Sequence, residues 1–68
     1  MDDEAFQQSI RKFLRTVGVR SQQEIEKAVA QARADGLIGD DDSFPATMTL
    51  EVAGLKLNVI FDGEIRLS

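Results

Sequence analysis

Apolar residues recur along the first half of the chain at spacings of three and four. Phe6, Ile10, Phe13, Leu14 and Val17 share one helical face, which predicts a first helix over about 3–17. Acidic residues Asp2, Asp3 and Glu4 sit near its start, and Arg11, Lys12 and Arg15 lie toward its end. Both groups have the sign that the helix dipole favours. Gly18 stands where a left-handed residue after the last helical turn is expected, with Val19 placed to touch Leu14. Ser21 and Glu24 then read as a capping box, opening a second helix over about 22–35 with an inner face of Ile25, Ala28, Val29 and Ala32. Gly36 followed by Leu37 repeats the stop signal.

The period changes from 3.6 to 2 in the second half. Residues 38–46 read as a loop, being rich in Gly, Asp, Ser and Pro. Beyond it Met48, Leu50 and Val52 alternate with Thr47, Thr49 and Glu51, predicting a strand over about 47–52. Leu55, Leu57, Val59 and Phe61 alternate with Lys56, Asn58 and Ile60, predicting a second strand over about 55–61. A two-residue turn at Ala53-Gly54 pairs Val52 with Leu55, Leu50 with Leu57 and Met48 with Val59, and sets Glu51 opposite Lys56. Asp62-Gly63 suggests a second hairpin. A three-residue loop with Gly63 left-handed keeps Ile65 and Leu67 on the apolar face of a third strand over about 64–67. The expectation is one α+β domain spanning 1–68: a two-layer ααβββ fold, with both amphipathic helices on one face of a three-stranded antiparallel meander. Its core would place Leu50, Leu57 and Val59 against Phe13, Ile10 and Ile25.

Composition narrows the chemistry. The 68 residues contain no Cys and no His. Disulfides, thiolate metal sites, cysteine nucleophiles and the usual near-neutral general base are therefore impossible. Tyr and Trp are absent as well. A chain this short has little volume to enclose a substrate cleft. Serines lack a neighbouring base or a Gly-rich phosphate loop, and carboxylates such as Glu51 and Glu64 fall on open sheet surface. Asp40-Asp41-Asp42 is the one dense acidic cluster, but a calcium loop alternates its ligands and ends in a bidentate Glu, which is missing here. The expectation is a protein that is not an enzyme and has no catalytic residues, no metal site and no cofactor.

Net charge is −4, which argues against general affinity for nucleic acid or anionic lipid. No stretch approaches a membrane span, and the acidic start is unlike a secretory signal, so a cytoplasmic location is the default expectation. Residues 1–20 nevertheless carry +1 against −5 for the remainder, because Arg11, Lys12, Arg15 and Arg20 cluster there. Such a patch suits an anionic or acidic partner, and it also suits a solvated helix face. Strand one would be a sheet edge with uncharged, β-favouring Thr47 and Thr49 outward, and Ile60 would add an apolar contact opposite Thr47. The interaction surface is accordingly assigned to Thr47, Thr49, Ile60, Arg11 and Arg15. The leading expectation is a protein-interaction module that binds another protein or itself through the edge strand. The alternative is a small winged-helix-like nucleic-acid-binding regulator.

The stretches Ser9–Val29 and Pro45–Ile65 resemble a family of small acidic bacterial proteins known as a domain of unknown function. Val17-Gly18-Val19 with Ser21 and Glu24, Pro45-Ala46-Thr47-Met48-Thr49-Leu50 and Asp62-Gly63-Glu64 carry the similarity. The resemblance implies no activity, cofactor or catalytic residue.

Overall fold

The computed structural model describes residues 1–68 as one helix followed by one hairpin. Helix α1 runs Asp3–Ala34, strand β1 Ser43–Val52 and strand β2 Leu57–Arg66. The chain divides into two units, Met1–Leu37 and Ile38–Ser68. No helix is long and apolar enough to cross a membrane.

In the first unit, the carboxylate of Asp2 caps α1 by accepting the Ala5 N–H at 3.1 Å. The expected break at residues 18–21 does not occur. Gly18 has helical neighbours on both sides, and its φ is not positive. Ser21 lies inside the helix rather than at a cap. The physical reason is that one internal Gly costs a helix only about 1 kcal/mol. Breaking the helix there would leave unpaired amides and carbonyls at two new ends and require a second nucleation. Gln22, Gln23 and Glu24 are good helix formers. The Gln22 amide donates to Glu26 at 2.9 Å, and the exposed Lys27–Glu24 pair at 3.7 Å adds a few tenths of a kcal/mol.

Gly36 meets its expectation. Its φ is 71°. Its N–H donates to Arg33 O at 3.1 Å, while the Leu37 N–H donates to Ala32 O at 3.0 Å. These two bonds close a Schellman motif.

The second unit is a two-stranded antiparallel sheet. Val52 pairs with Leu57, Leu50 with Val59 and Met48 with Phe61, two residues beyond the expected register. A shift of two preserves the face of every side chain, so apolar still meets apolar. The cause is the turn. A two-residue hairpin loop needs positive φ at Ala53, which its Cβ opposes. The chain instead makes a 3₁₀ turn over Ala53–Leu55 and places Lys56 left-handed at φ 54°, with the Lys56 N–H donating to Ala53 O at 3.1 Å. Glu51 therefore faces Asn58, not Lys56.

No third strand forms. β2 continues through Asp62 and Gly63, and Ser43–Ala46 pair with Gly63–Arg66. Extending an existing ladder needs no second loop closure, and it matches Phe44 with Ile65. Pro45, opposite Glu64, has no N–H to give. A two-stranded sheet tolerates this because each strand has an unpaired outer edge. The ααβββ arrangement is thus corrected to a single α1 and a single hairpin. The helices expected over 3–17 and 22–35 are one element. The loop expected over 38–46 ends before Ser43, and the strands expected over 55–61 and 64–67 are joined. No residue of either unit is buried.

Two glycines test the helix boundaries with opposite signs. A Cβ at Gly18 meets nothing within 4 Å, so Gly18→Ala should stabilise α1 by about 1 kcal/mol. Gly36→Ala should destabilise it by about 1 kcal/mol, because a Cβ is strained at positive φ. Urea unfolding followed by circular dichroism reads both, and a loss of stability in Gly18→Ala would mean that the helix breaks there.

The hairpin gives a second prediction. Lys56→Ile should cost about 1–2 kcal/mol, since a β-branched side chain resists the left-handed region. Gly54→Ala should fall within about 0.5 kcal/mol of wild type, because Gly54 has no positive φ and open space around it. The opposite ranking in thermal melts would restore the tight Ala53-Gly54 turn.

Candidate functional site

The hairpin divides cleanly into two faces. Phe44, Ala46, Met48, Leu50 and Val52 lie opposite Ile65, Gly63, Phe61, Val59 and Leu57, so one face is apolar along the full ladder. The other carries Ser43, Pro45, Thr47, Thr49 and Glu51 opposite Arg66, Glu64, Asp62, Ile60 and Asn58. The structure brings Thr47, Thr49 and Ile60 together on this second face, with a changed partner. Ile60 stands opposite Thr49, and Thr47 stands opposite Asp62. Ile60 is 61% exposed in this otherwise polar surface. An Asn58 amide donating to Glu51 at 3.5 Å and an Arg66–Glu64 contact at 4.0 Å are its side-chain links, both at the weak limit of such interactions.

Arg11 and Arg15 belong to the helical unit. They stand one turn apart and line an open surface groove with Gln8, Lys12 and Thr16. The Thr16 hydroxyl donates to Lys12 O at 3.0 Å, so it is engaged with the backbone. The groove offers three cations and one amide without an enclosing wall. A ligand there stays in contact with water, where a single charge pair is worth little.

The acidic loop is organised around Asp42. Its carboxylate accepts the Gly39 N–H at 2.8 Å, and its backbone N–H donates to Gly39 O at 3.3 Å. The Leu67 N–H donates to Asp42 O at 3.1 Å and fixes the open end of the hairpin. Asp42 therefore serves as a local turn-former. No three acidic groups converge in a way that could hold a metal ion.

The feature that sequence reasoning missed is the extent of the apolar faces. In α1 the apolar residues Phe6, Ile10, Phe13, Val17, Ile25, Ala28 and Ala32 share one side of the helix, with Ser21 and Glu24 among them. Eleven residues separate Phe6, Val17 and Ala28, then Ile10, Ser21 and Ala32, and also Leu14 and Ile25, whereas Phe13 is followed at eleven by Glu24. That period keeps a stripe on one side of a nearly straight helix. It was legible in the sequence, but Gly18 and the Ser21–Glu24 box masked it. In the hairpin, Phe44 and Ala46 extend the alternation of Met48, Leu50 and Val52 backwards, and Pro45 hid that signal. Phe6, Phe13 and Leu14 are about half exposed, as is Phe61 on the sheet. The hairpin thus has one apolar face, and α1 has an apolar side and an open basic groove.

No curated protein and no solved structure matches the chain. The model of a family of unknown function, DUF6494, matches residues 1–68, and the chain belongs to that family.

Proposed function

We propose that this chain is a non-enzymatic protein-interaction module whose working surfaces are the apolar faces of α1 and of the hairpin. One observation carries the reading: each unit has an apolar side, yet neither contains a buried residue. Single exposed apolar side chains are ordinary on a protein surface, but long aligned sets of them mark interaction sites. The helical unit also carries an open groove lined by Gln8, Arg11, Lys12, Arg15 and Thr16. The edge residues Thr47, Thr49 and Ile60 and the basic pair Arg11 and Arg15 become accessory contacts around these faces, supplying backbone pairing and charge. The winged-helix alternative loses its basis, because continuous α1 has no helix–turn–helix and the acidic sum remains.

A photo-crosslinking amino acid placed at Phe13 tests this reading in cells that make the protein. The expected result is an adduct with another protein chain at Phe13 and at Phe61, with none from the same probe at loop residue Asp41. Adducts of equal yield at all three positions, or none at any, would refute the assignment of these faces.

A further inference from the structure

Positive charge is segregated along α1. Between Glu4 and Glu24 the chain has four cations and no carboxylate, although it holds 12 acids in all. Arg11, Lys12 and Arg15 line the open groove with Gln8 and Thr16. At about 100° per residue, the three cations and Gln8 fall within roughly a third of the helix circumference, on the side away from Phe6, Ile10 and Phe13. None of the three has a carboxylate three or four residues away, and none makes an ion pair, whereas Lys27 is paired with Glu24 and Arg66 with Glu64. Their neighbours at helical spacing are each other. Arg11 with Arg15 and Lys12 with Arg15 are like-charge pairs, which weaken a helix. The helix dipole does not offset this. A helix ending near residue 17 would set these cations where its dipole favours them. Continuous α1 ends at Ala34 and leaves them closer to its N-terminus, out of reach of the last turn. The cluster thus costs the isolated helix stability and receives nothing from within it.

We propose that the basic groove of α1 binds a short acidic peptide segment of a partner protein. The inference rests on the interaction-module reading for the class of partner, and it adds a distinct surface and the partner's chemistry. The groove has no enclosing wall, so a lone carboxylate there stays hydrated and gains little; several must act together. The spacing suits that. Arg11 and Arg15 are about 6 Å apart along the helix axis. Acidic side chains one turn apart on a helix, or at alternate positions of an extended segment, repeat at about the same distance. Two carboxylates can then meet two guanidinium forks in step, with the Lys12 ammonium beside them. Net charge limits the length of the anion. At −4 the whole chain repels a long polyanion such as nucleic acid, and likewise an anionic lipid surface. A short acidic segment is governed by the three local cations instead.

Acetylated hexaglutamate amide titrated into the whole chain at low salt should shift the amide resonances of residues 8–16 and leave those of the hairpin in place. The shifts should fade as salt is raised. Arg11→Glu should weaken binding about threefold to tenfold, because an attraction becomes a repulsion at an exposed site. The same substitution sets an acid one turn before Arg15, so helical circular dichroism should rise while affinity falls. A purely structural role for Arg11 would move both in the same direction. Absence of shifts at low salt, equal shifts around Lys27, or unchanged affinity in Arg11→Glu would overturn the proposal. A short oligothymidylate or phosphatidylserine vesicles binding through Arg11 and Arg15 more tightly than the peptide would overturn the choice of partner. In each of these cases adducts at Phe13 and Phe61 would still carry the reading of the apolar sides, so the two failures are told apart.

Discussion

An amphipathic helix is held in water by whatever covers its apolar stripe. For α1 this constraint is severe. Thirty-two residues form about nine turns, and Gly18, Val17 and Thr16 at its middle are all below-average helix formers. Hydrogen-bonded pairs such as Gln22 with Glu26 contribute tenths of a kcal/mol each. Covering one Phe contributes about 1.5–3 kcal/mol. The stripe therefore outweighs every polar contact on the helix surface, and the state of the molecule turns on what meets Phe6, Ile10 and Phe13.

The same inequality explains where sequence reading succeeded and where it failed. Features set by adjacent residues were legible. The N-terminal start near Asp2, the left-handed Gly36 and the apolar face of the Met48–Phe61 region all follow from local rules. Features that depend on a comparison between competing arrangements were not. Gly18 is a good stop signal in isolation, but it costs less than two extra helix ends. Asp62-Gly63 is a good turn signal in isolation, but four further pairs from Ser43–Ala46 favour a straight strand. In both places the longer continuous element wins because it avoids a nucleation or a loop closure.

The candidate site was legible to the same degree. Thr47, Thr49 and Ile60 do share one face of the hairpin, because alternation along a strand survives a two-residue register shift. Arg11 and Arg15 do stand together on α1, because four residues make one turn. The larger surface was hidden by punctuation. Treating residues 18–21 as a break divided the apolar side of α1 into two short stretches, and its full length is seen only once both lie on one helix.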